Sequence, residues 1–360
     1  MYNKNELAVI WIDMFDFLTY HKKLTILNYY SEPAEVFSCF KFDFNDFSNI
    51  LSKEEFDKMV NFLDEQNFEN YVQNLNKQNI ICLTFYSEKY PKSLLNFEDY
   101  PLILYCKGDI ELLSSTCIAV VGSRKITRYG RDITEKFTRS LASSGVTIVS
   151  GLAMGVDTVA HQTTLDCGGK TIAVMASGYN EIYPTENFEL EKKIENCGLV
   201  ITEYLPDSKP APYRFPIRNR IIAGISEGVL ITEASMKSGV MHTKNYALEN
   251  GIDLFVVPGN VDNFSSAGCN AILKACQGSL VTSADDILEK LNMINAYKPK
   301  VVNLKLSLEE QMILNCLDGE VHFDELLERT KLDTKTLLSL LTTLELSGII
   351  KKLTGNFYCK

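Results

Sequence analysis

The chain has 360 residues, 46% hydrophobic and 23% charged, a balance that suits a globular protein of two or three domains. No stretch approaches the ~20 apolar residues that span a bilayer, and the N-terminus lacks a basic start and a small-residue cleavage site, so a cytoplasmic protein without membrane contact is expected. A net charge of −10 excludes indiscriminate nucleic-acid binding by bulk charge, and the ten cysteines form neither a CxxC pair nor a Cys/His cluster, so neither a metal site nor a disulfide framework is expected.

Residues 1–78 alternate apolar helical stretches with acidic and Asn-rich breaks and predict a helical domain. Acidity concentrates here: residues 1–114 carry 10 Lys/Arg against 18 Asp/Glu, a net of −8. The next stretch has short β-like pieces, Ile80–Phe85 and Leu102–Cys106, broken by Pro91, Pro101 and Gly108, and reads as a strap into the following domain. From Cys117 the runs CIAVVG, VTIVSG, TIAVMASG, LVITEY, GVLITEA and DLFVVPG recur with helical segments between most of them. Continuous apolar runs suit strands buried on both faces, so residues 79–290 predict an α/β, Rossmann-like, doubly wound, mostly parallel sheet. Residues 291–304 read as a linker. Residues 305–360 predict three helices, Ser307–Leu317, Phe323–Thr330 and Asp333–Leu346, then a hairpin around Thr354-Gly355-Asn356, which is the winged-helix order.

In a doubly wound fold ligands sit beyond the carboxyl ends of the strands, so the loops there carry the chemistry. The first, GSRKITRYG, matches neither G-x-G-x-x-G nor a P-loop, which removes the strongest signatures of dinucleotide and ATP sites and predicts no cofactor. It offers Gly122, Ser123 and Arg124, with Lys125, Arg128 and Arg131 nearby; backbone donors at a helix start plus arginine suit a phosphate. In SGLAMGVD, Gly151 and Gly155 permit close backbone approach, and Asp157 suits a helix cap as well as a ligand contact. His161 has no nucleophile or carboxylate at a recognisable spacing and reads as a packed histidine.

The stretch KPAPYRFPIRNRIIAG gathers Lys209, Arg214, Phe215, Arg218, Asn219 and Arg220 in a segment that Pro210, Pro212 and Pro216 keep extended, with a helix entered at Arg218. An aromatic face stacks on a base while guanidinium groups hold phosphates. The competing reading buries Phe215 and pairs the arginines with Glu203 or Glu233. After GVLITE, Ser238-Gly239 precedes a helix, with Lys237 and Lys244 as supporting charges; Glu233 is read as orienting Arg218 or Arg220 and not as catalytic.

Taken together, GSRxxxxYG, SGLAxGVD, GGKTIAV, IYPxEN, FPxRNRIIAGIS, EAxxxSG and VPGN, in this order, resemble the DprA/Smf family of DNA-processing proteins of natural transformation. The resemblance covers residues 80–290 and extends to the C-terminal winged helix; residues 1–75 take the place of an N-terminal helical domain. It implies a homodimer that binds single-stranded DNA, has no catalytic residues, and helps load a RecA-type recombinase. By position it assigns DNA contact to Arg124, Phe215, Arg218, Asn219 and Arg220, with Gly122, Ser123, Gly151 and Gly239 shaping the pocket. Met154 and Val240 depart from the family, which commonly has Arg or Lys at the first position and often Ser or Thr at the second.

Two other readings are weaker. A nucleotide-processing, phosphoribohydrolase-like enzyme would need a PGGxGT loop, which is missing. A duplex reader would need donors on TKTLLSLLTTLEL, which has one Lys and no Arg.

Overall fold

A computed structural model describes residues 2–30, 32–36, 44–61, 65–293, 307–347 and 349–359. The chain divides into two compact units, Met1–Tyr297 and Lys298–Lys360. From residue 294 onward the expected linker lies outside the described residues.

In the first unit the apolar runs become strands β1 (Ile81–Thr84), β2 (Ile103–Gly108), β3 (Cys117–Gly122), β4 (Thr147–Ser150), β5 (Thr171–Val174), β6 (Leu199–Thr202), β7 (Gly228–Glu233), β8 (Asp253–Val256) and β9 (Ser279–Leu280). They form one sheet in the order β1-β2-β6-β5-β4-β3-β7-β8-β9. Strands β3 to β9 are parallel, whereas β2 pairs antiparallel with β6 and β1 antiparallel with β2. The strap therefore extends the sheet at its β6 edge. The chain steps outward from β3 to β6, then crosses back to place β7 on the other side of β3. Strand order reverses between β3 and β7, which leaves a crevice at their carboxyl ends.

Strands β4 to β7 are buried along their whole length, which is why their sequences read as unbroken apolar runs. One face packs helices Arg214–Gly224, Val240–Glu249 and Ala267–Lys274 through Ile222, Ala247 and Ile272, with Leu94 of the strap. The other packs Arg128–Ser143, Val156–Asp166 and Ala284–Lys290 through Phe137, Ala160 and Ile287.

The N-terminal helices Lys4–Asp13, Tyr20–Tyr29, Lys53–Asn61 and Glu65–Lys77 belong to this same unit. Trp11, Phe47 and Met59 share a core with Leu102, and Ile10 and Leu75 share one with Ile103 and Tyr105 of β2. The buried Tyr105 hydroxyl donates to Asp13 at 2.8 Å, and Lys23 closes an ion pair with the same carboxylate at 2.9 Å. The acidic segment is thus anchored on the antiparallel edge of the sheet.

The second unit is a winged helix. Helices Leu308–Cys316, Phe323–Thr330 and Thr334–Leu346 pack Ile313, Leu326 and Leu341 against Tyr358. Strands β10 (Val321–His322), β11 (Lys351–Lys352) and β12 (Phe357–Cys359) pair in the order β10-β12-β11. Asp333 caps the third helix, accepting from the Lys335 and Thr336 amides at 3.1 Å. No described helix is long and apolar enough to cross a membrane.

Candidate functional site

Backbone shape brings the loops after β3 and β4 into contact. Gly155 has φ +85°, and a Cβ there would lie 2.2 Å from the Ser123 carbonyl oxygen, so only glycine permits this approach. The Val156 amide donates to that same carbonyl at 3.1 Å. Asp157 accepts from the Gly151 and Ala153 amides at 3.2 and 3.3 Å and so ties the loop to the helix that follows. Asn187, the last residue of IYPTEN, donates to the Leu152 carbonyl at 2.8 Å and to the Thr158 hydroxyl at 2.9 Å.

The helix that follows β3 does not present an open N-terminus. Glu233, buried at the end of β7, accepts from the Thr127 amide at 3.0 Å and its hydroxyl at 2.9 Å, and Thr127 in turn accepts from the Gly130 amide at 3.1 Å. A carboxylate of the chain itself thus occupies the place expected for a bound anion. Glu233 therefore orients this helix start, and the expected role of orienting Arg218 or Arg220 is corrected. Gly130 is required for the same reason, since a Cβ there would overlap the Glu233 carboxylate.

The crossover helix begins at Arg214, four residues earlier than expected. Pro216 is its third residue, where no intrahelical N–H donor is needed. The whole FPIRNR motif is consequently helical, and its arginines point to different places. Arg218 is buried. Its guanidinium donates to the Gly151 carbonyl at 2.7 Å and to the Val174 carbonyl, and its Nε donates to the Asn219 side chain at 3.2 Å. Burial pulls its pKa down to about 10, Asp157 opposes this and Arg124 adds to it, so Arg218 stays a cation at neutral pH. A Cβ on Gly151 would lie 2.5 Å from this guanidinium, which places Gly151 behind Arg218.

Arg220, also buried, faces away. It makes a bidentate pair with Glu203 at 2.8 and 2.6 Å and reaches the Asp99 carbonyl at 2.9 Å. Its pKa is raised despite burial, because Glu203 and then Asp99 favour the charge. Arg214 donates to the Lys209 carbonyl at 2.7 Å and stacks 4.4 Å from the Tyr204 ring. Both arginines line a different depression, shared with Asp16 and Tyr20 of the N-terminal segment. The competing reading, arginine paired with Glu203, thus describes Arg220.

A groove of about 640 Å³ opens where strand order reverses. Gly122, Ser123, Arg124 and Lys125 form one wall, Phe215, Arg218 and Asn219 a second, and Lys237, Ser238 and Gly239 a third. The Arg124 guanidinium lies 4.9 Å from the Phe215 ring centre, and Tyr183 meets Phe215 edge-on at 5.5 Å. Of the residues expected at the site, Gly151, Lys209, Arg214, Arg220 and Lys244 do not line this groove; Lys244 donates to Gln277 at 3.1 Å. The groove also takes in Tyr183, His242 and Phe264, which were not singled out; Tyr183 lies in the IYPxEN motif, while Phe264 had no signal beyond an aromatic in a Gly/Asn-rich loop. His161 is a packed residue. Its Nδ1 meets the Thr171 hydroxyl at 2.7 Å, and burial, then Arg218, press its pKa down to about 3.

Fold and site together define a Rossmann-like protein whose switch-point crevice offers cations, glycine backbone and aromatic faces, followed by a winged helix. The family model for DNA recombination-mediator protein A matches residues 81–292, and the DprA winged helix domain matches residues 299–356. The chain belongs to the DprA/Smf family. It is 38% identical to Protein Smf of Escherichia coli over 283 residues, 75% of each chain, and 43% identical to DNA processing protein DprA of Streptococcus pneumoniae over 199 residues, 55% of this chain and 70% of that one. The X-ray structure of the Streptococcus pneumoniae DprA superposes with a TM-score of 0.68 at 32% identity, covering 79% of this chain and 97% of that one. A Helicobacter pylori DprA, described for its single-stranded DNA binding mode, gives 0.54 at 33% identity, covering 59% and 95%.

Proposed function

We propose that this chain binds single-stranded DNA in the switch-point groove, without strong sequence preference, and delivers it to a RecA-type recombinase on incoming DNA in the cytoplasm. The observation that carries this reading is the Arg124–Phe215–Tyr183 cluster at the rim of the groove. Stacked cation and ring offer a phosphate contact and a base platform side by side, the two elements of sequence-tolerant strand binding. Beneath them Arg218 is a positioning residue. It ties the loop after β4 to the end of β5 and contributes fixed positive charge.

Asp157 and Ser123 of the groove are arranged for holding backbone in place and not for bond cleavage. Asp157 is committed to backbone amides, and the Ser123 hydroxyl is committed to the Lys125 backbone. A base or nucleophile drawn from this pair would have to break such bonds to act. We further propose a homodimer as the working unit. Fluorescence anisotropy with single-stranded DNA, duplex DNA, RNA and free nucleotides tests the main claim. Single-stranded DNA should bind best, and Arg124→Ala and Phe215→Ala should each weaken it by about 1–3 kcal/mol. Equal affinity of wild type and both variants would refute the groove assignment. Sedimentation velocity reads the dimer, and displacement of a single-strand binding protein by recombinase on the same DNA reads the loading step.

A further inference from the structure

A second depression, of about 510 Å³, lies beside the groove and is lined by Tyr129, Pro258, Gly259, Asn260 and Asn263. The same two stretches of chain wall both. Residues 123–125 border the groove while Tyr129 borders its neighbour, and Phe264 and Ser265 border the groove while Asn260 and Asn263 border the neighbour. The two depressions thus share both walling segments, one following β3 and one following β8. Phe264, a large apolar side chain 68% exposed, lines the groove and follows Asn263 of the second depression in sequence.

The second depression is furnished for a nucleobase. The Tyr129 ring is 43% exposed, yet its hydroxyl donates to the Pro258 carbonyl at 2.8 Å, so the ring is held in place with a face to solvent. Asn260 and Asn263 accept from the Asp262 and Ser265 amides through their side-chain oxygens, at 3.0 and 2.9 Å, so the amino groups are the donors these side chains have left to offer a ligand. A fixed ring with neutral donors around it suits a base, because every base has a π-face and a carbonyl or ring-nitrogen acceptor. Arg128, next in sequence and exposed, lies 3.9 Å from Asp132.

We infer that Tyr129 is the stacking platform of a second nucleotide subsite, which extends a bound strand from the groove into the second depression. This rests on the single-strand reading above. The test measures oligothymidylates of about 4 and about 16 nucleotides, short enough to fill the groove alone and long enough to reach the second depression. Tyr129→Ala should weaken the long strand about tenfold, within the range of one lost stacking contact, and leave the short strand unchanged. Tyr129→Leu, which keeps apolar bulk without a flat ring, should lose long-strand affinity equally and decides the matter if the alanine variant also loses the short strand through misfolding. Tyr129→Phe, which keeps the flat ring but frees it from Pro258, should lose less long-strand affinity than Tyr129→Leu. A Tyr129→Leu protein with wild-type affinity for the long strand, alongside an Arg124→Ala protein that has lost both lengths, overturns the subsite and leaves the groove standing. An Arg124→Ala protein that keeps both lengths overturns the groove reading and the extension with it.

Discussion

Arg218 and Arg220 are two residues apart on one helix, and about 200° of rotation sends them to opposite sides of it. Arg218 borders the groove, and Arg220 serves the fold. Removing one member of a buried pair leaves the other charge uncompensated, so Arg220→Ala should lower stability by about 3–5 kcal/mol in urea unfolding. The fraction that remains folded should retain single-strand affinity; a selective loss of binding at unchanged stability would place Arg220 at the DNA after all. His161 gives a signature in acid. Its native pKa of about 3 lies below the ~6.5 of an unfolded histidine, so below pH 6.5 the unfolded chain binds the extra proton. Its contribution is complete above pH 6.5 and is lost as pH falls toward 3, at no more than about 1.4 kcal/mol per pH unit. His161→Gln should flatten this part of the stability profile, measured by urea midpoints from pH 4 to 8, and a parallel profile would contradict the assignment.

At the scale of elements, the groove depends on the contacts that tie its loops to one another. The β3 and β4 loops meet at Gly155, the β3 and β7 ends meet through Glu233, and the crossover helix is tied to the β4 loop by Arg218. Gly155→Ala combines a positive φ with a Cβ closer to the Ser123 carbonyl than any real contact. It should destabilise the first unit by more than 1 kcal/mol, roughly the cost of Ala at positive φ, and weaken single-strand binding together with it. Thermal unfolding and anisotropy on the same sample check both halves of this statement.

At the scale of the molecule, a net charge of −10 and a binding groove are compatible because the groove gathers few cations. Arg124, Lys125 and Lys237 are the exposed ones among the described groove residues. Neutralising about three phosphates predicts a plot of log affinity against log salt with a slope near −2 for a single strand. A slope near −6 would require a much larger basic surface. The two-unit division adds a further expectation. Because unit 1 holds its own cores and the whole groove, a chain ending at Tyr297 should retain most of its single-strand affinity in the same assay.

Sequence by itself determined the layers of the fold. Buried parallel strands must be apolar throughout, so β3 to β8 announce themselves, and three helices with a hairpin announce the winged helix. It also marked the loops that form the groove, because glycine at close backbone approaches leaves a visible signature. Two-residue strands such as β9 and β10 carry too little pattern to read. Only tertiary structure decided which charge meets which. The helical start at Arg214 rotated Arg220 onto Glu203, the switch-point geometry gave the helix start after β3 to Glu233, and the return of the chain after β8 set Phe264 in the same groove as Phe215 and Arg218. Such pairings join residues far apart in sequence, and local composition carries no information about the rotation of one element against another.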